Sequence, residues 1–97
     1  KKYGPKIAEG LESFLFLTEM INNASGLMRV NLFHMHLLHG NLHGVYSISL
    51  DNKKSRYRLL IQMLDSNGNF VKPLDNEIEF LKSIDTIKVG RIVDYHE

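Results

Sequence analysis

The chain has 97 residues, 43% of them hydrophobic, which suffices for one domain with a single core but not for two. Its formal net charge is only +1, and it contains no cysteine, which excludes disulfides, cysteine-ligated zinc and thiol nucleophiles. A chain without cysteine fits a reducing compartment, so we expect a cytoplasmic protein, and no apolar run reaches the roughly 18 residues of a membrane span. The near-neutral net charge argues against a protein that binds nucleic acid through an overall positive electrostatic field.

The first predicted element is a helix from about Pro5 to Asn23. Pro5 suits the first helical turn, because its missing N–H would have no partner within the helix there. Gly10 lowers helix stability by about 1 kcal/mol relative to alanine, so tertiary packing must stabilise this helix. We expect Gly26 to end the helix with a positive φ. The side chains expected to face the core recur at steps of three and four residues: Ile7, Leu11, Phe14, Leu15, Thr18 and Ile21.

After the helix, the hydrophobic period changes to two, which predicts strands. Between residues 31 and 38, apolar Phe33, Met35 and Leu37 are expected to point inward, with His34 and His36 together on the opposite face. This pattern predicts a strand of about four to six residues. Residues 45–50 and 56–64 alternate in the same way and predict a hairpin, with the odd-numbered apolar positions of the second strand inward.

Two more elements follow the turn signal Asn67-Gly68. Residues 75–84 predict a short helix with Ile78, Phe80, Leu81 and Ile84 inward, and the last strand runs from Ile87. In that strand, Ile87, Val89, Arg91 and Val93 alternate against Lys88, Gly90, Ile92 and Asp94. The order of elements predicts a single α+β domain over residues 1–97, with the N-terminal helix packed on a mostly antiparallel, twisted sheet.

Four of the five histidines lie between residues 34 and 43. On one strand, His34 and His36 would project from the same face roughly 7 Å apart and could share a metal ion. A zinc site needs a third ligand, which His39, His43 or His96 would have to supply, and no carboxylate stands at ligand spacing. Histidines that take no part in chemistry are the simpler interpretation for His34 and His43.

Three segments resemble the HigB-type killer toxins of the RelE/ParE toxin–antitoxin superfamily: HLLHGNLHGVYSI, RYRLLI and the terminal IVDYHE. These toxins typically show a His-x-x-Lys-Gly segment, a Gly-x-Tyr-Ser-Ile strand, an arginine in the next strand and a chain end of Asp-Tyr-His. The opening KKYGPKIAEGLESFL is similar to their longer N-terminal helix. The family's first strand and first short helix have no counterpart in the sequence. The resemblance implies a small RelE-like domain.

The resemblance also implies a plasmid-maintenance toxin, an endoribonuclease that cleaves mRNA in the ribosomal decoding site without metal or other cofactor. A DNA-binding antitoxin, typically of the helix-turn-helix type, would silence it. In metal-free RNA cleavage, the 2′-hydroxyl attacks its own phosphate, so a base, a cation for the phosphate and an acid for the leaving oxygen are needed. Histidine suits both proton transfers, and arginine suits the phosphate.

Matched to the family residue by residue, His36 falls on the active-site histidine, His39 on the lysine and Arg58 on the strand arginine. The terminal triplet of the family matches Asp94, Tyr95 and His96. The implied catalytic set is therefore His36, His39, Arg58, Asp94, Tyr95 and His96. The residues left to contact RNA are Lys53, Lys54, Arg56 and Arg91.

Two departures from the family weaken the implied activity. Histidine in place of lysine at position 39 makes the local charge depend on pH. The loop GNLHG replaces one that is commonly rich in arginine and lysine, which removes phosphate contacts. Two other functions therefore remain open: a non-catalytic, ParE-like inhibitor of a protein such as DNA gyrase, and a degenerate toxin that only binds its antitoxin.

Overall fold

The domain consists of a four-stranded sheet, one long helix and two short helices. In the computed structural model, residues 3–73 and 75–94 are described. The elements are α1 (Pro5–Met20), α2 (Ser25–Met28), β1 (His36–Leu37), β2 (Val45–Ile48), β3 (Tyr57–Leu64), α3 (Glu77–Lys82) and β4 (Thr86–Asp94). The strands lie in the order β1-β2-β3-β4, and each is antiparallel to its neighbour. The predicted α+β class and the predicted hairpin of β2 and β3 are thereby confirmed.

Helix α1 is shorter than predicted, because the backbone turns to an extended conformation at Ile21. Ile7 and Phe14 are buried in the core, but Leu15, which we expected to face inward, is exposed. The predicted role of Gly26 is wrong: it lies inside α2, and its φ is not positive. Gly10 allows α1 to pack closely against the chain at Leu50, because a Cβ there would overlap the carbonyl oxygen of Leu50.

The predicted strand between residues 31 and 38 is wrong in extent, because β1 contains only two residues. The preceding residues form a 3-10 turn, Asn31–Phe33, after which His34 takes a left-handed φ of 46°. The ring Nε2 of His34 lies 2.7 Å from Oδ1 of Asn52 in the β2–β3 loop, and this contact fixes the turn. His34 and His36 therefore do not share a strand face, although Phe33 and Met35 are buried as expected.

The sheet has two unlike faces. All three helices contribute to the core on one face, and the buried side chains there include Phe14 from α1, Leu27 from α2 and Leu81 from α3. Strand β3 contributes the predicted inward residues Leu59, Ile61 and Met63 to this core, and β2 contributes Tyr46 and Ile48. On the opposite side, which we call the second face, a small apolar cluster of Leu38, Val45 and Leu60 packs with Val93.

Strand β4 carries a register shift that the sequence pattern did not predict. Leu59 pairs with Ile92, whereas Ile61 pairs with Val89, so one extra residue stands in β4 between these pairs. A Cβ on Gly90 would come close to the carbonyl oxygen of Leu60, which explains a glycine at the bulge. As a result, Ile92 packs against the core and Arg91 is exposed, so the predicted alternation does not continue unbroken along β4.

Helix α3 is anchored by polar contacts at its start. The side chain of Asn76 accepts a hydrogen bond from the backbone N–H of Glu79, which is a helix N-cap. Leu81 and Ile84 are buried and Phe80 is partly buried, as predicted. Ile78 is exposed instead, because the six-residue helix buries only one narrow face.

Candidate functional site

The second face places two predicted catalytic residues near each other. His36 on β1 pairs with Ser47 on β2, and Ser47 pairs with Leu60 on β3. Arg58 lies two residues before Leu60, so its side chain is on the same face of the sheet as that of His36. From strand spacing and rise, the Cα atoms of His36 and Arg58 are about 12 Å apart. Arg58 in turn pairs with Val93 on β4. The last strand therefore lies beside the strand that carries Arg58.

Arg58 is a buried cation, with only 5% of its surface exposed. Its Nη1 donates hydrogen bonds to the carbonyl oxygens of Ser55 at 2.7 Å and Tyr57 at 2.8 Å. Its Nε is buried and has no hydrogen-bond partner in the described part of the chain. No carboxylate pairs with Arg58 among residues 3–73 and 75–94. Burial of a guanidinium costs free energy unless hydrogen bonds or an anion compensate it, and the two carbonyl oxygens supply part of that compensation.

His36 is half-buried at the start of β1, and its ring is oriented by the backbone. Its Nδ1 lies 3.3 Å from the carbonyl oxygen of His34. Because a carbonyl oxygen can only accept, this hydrogen bond places the proton on Nδ1 and the lone pair on Nε2. That tautomer is the one in which Nε2 can act as a general base.

Ser47 is a polar residue of the second face that the sequence reasoning missed. It is fully buried, and its Oγ has no hydrogen-bond partner within the described ranges. Cross-strand geometry puts its Cβ about 5 Å from that of His36 and roughly 7–8 Å from that of Arg58. Strand alternation in VYSI could have found it, because position 47 is out of phase with the inward Tyr46 and Ile48.

The β2–β3 loop supplies most of the predicted RNA-binding cations. Lys53, Lys54 and Arg56 are exposed, and the loop leads directly into Arg58. Asn52 and Lys53 both have positive φ, and Ser49 Oγ accepts a hydrogen bond from the Lys53 N–H at 2.7 Å. The start of β1, this loop and the start of β3 thus form one basic end of the sheet.

Asp94 lies at the same end of the sheet but not on the second face. It pairs with Tyr57, whose side chain packs towards the core. Its Oδ1 is 3.4 Å from Nε of Arg56 in an exposed ion pair. Tyr95 and His96, the other two members of the implied triplet, lie outside the described residues. Arg91 is exposed on β4.

His39 lies at the other end of the sheet, beyond the last residue of β1. Its ring stacks on that of His43, with centroids 5.7 Å apart and an interplanar angle of 30°. The N–H of Leu38, which precedes it, bonds to Val45 at the start of β2. From the strand rise, His39 is on the order of 15 Å farther along the sheet than Arg58. By the same strand rise, His39 is about 10 Å from His36, so His36 lies between Arg58 and His39, and only Arg58 is far from His39.

Two further features bear on the kind of protein. No group of three or more histidine, cysteine, aspartate or glutamate side chains in the described ranges could hold a metal ion. No helix among those residues combines the length and the apolar character needed to cross a membrane.

Comparisons with known proteins add no relative: no family model, characterised protein or solved structure shows significant similarity to the chain. The likeness to HigB-type toxins consequently depends on the short sequence motifs.

Proposed function

We propose that the protein is the toxin of a type II toxin–antitoxin system and cleaves mRNA on the ribosome by metal-independent attack of the 2′-hydroxyl. The observation that carries this proposal is Arg58, a cation that is 5% exposed and has no carboxylate partner in the described chain. A buried charge needs compensation, and a backbone phosphate is an anion that would supply it.

The arrangement of the second face supports definite roles. Nε2 of His36 is oriented to take the proton of the 2′-hydroxyl, because Nδ1 is engaged with the carbonyl of His34. Arg58 would hold the phosphate, whose negative charge increases as the fifth oxygen attaches. The proton for the departing 5′-oxygen would come from the terminal residues Tyr95 or His96, as the resemblance implies.

The basic end of the sheet supports an extended nucleic acid ligand. Lys53, Lys54 and Arg56 are exposed beside the entry to β3, where they could contact phosphates on either side of the one held by Arg58. Val93, which is only partly buried on the same face, offers an apolar surface against which a base can pack.

A second candidate function is favoured by the position of His39. This residue matches the family's lysine, yet it stacks on His43 at the far end of the sheet. A site without that cation would hold RNA more weakly. The domain would then retain only antitoxin binding.

Purified protein added to ribosomes that translate a defined message tests the proposal. We expect new 3′ ends within the message that carry a 2′,3′-cyclic phosphate, because the 2′-hydroxyl becomes bonded to phosphorus. His36→Gln should reduce the cleavage rate by about 10²–10⁴-fold. His43→Gln is the matched control, because it makes the same change in the same segment, and it should leave the rate unchanged.

The outcomes separate the candidate functions. Cleavage that persists in His36→Gln would remove this face as the site. Absence of cleavage, combined with loss of DNA supercoiling by gyrase, would identify a gyrase inhibitor. Absence of both, with binding to a helix-turn-helix protein encoded next to it, would identify a domain that only binds an antitoxin.

A further inference from the structure

Two of the four clustered histidines, His39 and His43, have ring nitrogens that no contact in the described chain occupies. His34 is engaged with Asn52, and Nδ1 of His36 is engaged with the carbonyl of His34. The rings of His39 and His43 are exposed, and neither has a hydrogen-bond partner within the described ranges. Each neutral ring therefore has a nitrogen lone pair available to a ligand from solvent.

The connection between β1 and β2 presents these two rings from a defined backbone. It contains a single 3-10 turn, in which the N–H of His43 donates a 3.1 Å hydrogen bond to the carbonyl oxygen of Gly40. Gly44, the next residue, is buried and has a φ of 97°. A Cβ on Gly44 would lie only 2.8 Å from side-chain atoms of Lys72 and Phe70, so the chain packs closely against these residues just after the turn. The two histidines are thus held near each other before any ligand arrives.

The spacing of the two rings fits a shared metal ion. A first-row metal ion binds an imidazole nitrogen at about 2.0–2.1 Å, which puts the ring centroid roughly 3.2 Å from the ion. Two rings on one ion therefore have centroids roughly 4.5 Å apart in adjacent positions and roughly 6.4 Å apart in opposite positions. The centroids of His39 and His43 are 5.7 Å apart, between these two values. Because both side chains are exposed, small rotations about their side-chain bonds can direct one nitrogen of each ring to a common ion.

We propose that His39 and His43 form a two-histidine site for a divalent ion of the copper or nickel type, with solvent oxygens completing the coordination. Among the described residues, no group of three histidine, cysteine, aspartate or glutamate side chains could hold a metal ion. A tetragonal arrangement of nitrogen and oxygen ligands is the one that Cu²⁺ and Ni²⁺ prefer, and Cu²⁺ should bind more tightly than Ni²⁺. The inference is independent of the proposed ribonuclease activity, because it uses neither His36 nor Arg58.

Titration of the full chain with Cu²⁺, without a polyhistidine tag, tests the site. Calorimetry gives the affinity and the stoichiometry, and we expect one tight site per chain. Paramagnetic broadening in NMR should concentrate on the ring protons of His39 and His43, and electron paramagnetic resonance should show two nitrogens bound to copper. Mg²⁺ at the same concentration should leave the ring signals unchanged, because it prefers oxygen ligands.

Three glutamine variants locate the ligands. His39→Gln and His43→Gln each remove one ligand, and each should weaken Cu²⁺ binding by about 10²-fold, because the second ligand of a tethered pair binds intramolecularly. His34→Gln is the matched control. It makes the same change in the same segment, and its amide can still bond to Asn52, so the affinity should stay that of wild type. All three positions are exposed, so the fold should be retained, which circular dichroism verifies.

Three results would overturn the inference. The first is wild-type copper affinity in both His39→Gln and His43→Gln, which would place the ion elsewhere on the chain. The second is an equal loss of affinity in His34→Gln, which would mean that the segment binds copper without a defined pair of ligands. The third is one ion per two chains with a doubled mass in sedimentation, which would assign the ion to an interface between two copies.

Discussion

The hydroxyl of Tyr46 donates a 2.6 Å hydrogen bond to Oε2 of Glu77 and thereby joins β2 to the first turn of α3. Tyr46 is fully buried in the core, and Glu77 is partly exposed at the edge of it. Thirty-one positions separate the two residues in the sequence. This polar contact holds the start of α3 against β2. Because β4 follows α3 directly in the chain, the contact also helps to position β4.

Replacement of Tyr46 by phenylalanine should destabilise the domain. The ring stays buried, but a hydrogen bond to a carboxylate is lost, so we expect a decrease of about 1–2 kcal/mol in the free energy of unfolding. Urea denaturation followed by circular dichroism measures this. Tyr57→Phe is the control, since its ring packs against Tyr3 and no hydrogen bond to its hydroxyl is present among the described residues. A loss of the same size in both variants would contradict the role of Glu77.

The same contact predicts a loss of stability at alkaline pH. Burial raises the pKa of Tyr46 far above its ordinary value, and the hydrogen bond and the negative charge of Glu77 raise it further. The unfolded chain therefore loses this proton first, near pH 10, so the stabilisation is complete below that pH and decreases as the pH rises. The decrease should be up to about 1.4 kcal/mol per pH unit. Tyr46→Phe should remove this component, and equal slopes in wild type and variant would contradict it.

Gly10→Ala should destabilise the chain although alanine is the better helix former. The added methyl group would overlap the carbonyl oxygen of Leu50, and the required shift of α1 outweighs a gain of about 1 kcal/mol in helix propensity. We expect a net loss of about 2 kcal/mol in the free energy of unfolding. Glu9→Ala, at the exposed neighbouring position, should change it by less than about 0.5 kcal/mol. A more stable Gly10→Ala variant would mean that the helix does not approach Leu50 this closely.

Arg58→Met should separate stability from activity. Methionine keeps the long apolar stem and removes a buried charge without a described counter-ion, so the free energy of unfolding should stay within about 1 kcal/mol of wild type. RNA cleavage should decrease by about 10²–10³-fold. The control Arg29→Met removes an exposed arginine that lies outside the proposed RNA-contacting residues, and it should retain the activity. Unfolding of Arg58→Met with Arg29→Met intact would assign Arg58 to the fold instead.

His39 should prove dispensable for cleavage. A lysine stays cationic at physiological pH, whereas a histidine is mostly neutral at about pH 7.5, so a histidine acting as phosphate cation would make the rate increase towards about pH 6. Because His39 stacks on His43 away from Arg58, we expect His39→Lys and His39→Ala to leave the rate unchanged between those pH values. A faster His39→Lys enzyme at pH 7.5, up to about tenfold, would instead place the residue beside the phosphate.

The regular strands could be predicted from the sequence because local alternation decides them. Along β3, Leu59, Ile61 and Met63 alternate with other residues, and all three are in the core. The histidine segment could not be predicted in this way. The left-handed backbone at His34 is fixed by a contact with Asn52, eighteen positions away, and a local hydrophobic pattern does not encode such a contact.

The sequence indicated candidate residues for the site but not their arrangement in three dimensions. The motif match indicated His36 and Arg58, and strand pairing places both on one face. The sequence did not reveal that Arg58 is buried without a described carboxylate, because that depends on which residues surround it in three dimensions. The separation of His39 depends on where β1 ends, and a two-residue strand gives too weak a signal to locate.

The bulge in β4 decides which residues of the last strand lie beside Arg58. Up to Val89, the even-numbered Lys88 shares the face of Gln62, whereas beyond the bulge the odd-numbered Val93 lies opposite Arg58. A strand of the same length without the bulge would continue the first register and turn Ile92 from the core to the second face, opposite Arg58. Deletion of Gly90 would instead remove the extra residue and leave Val93 opposite Arg58. The surroundings of Arg58 therefore tolerate the loss of the bulge residue but not the loss of the bulge itself.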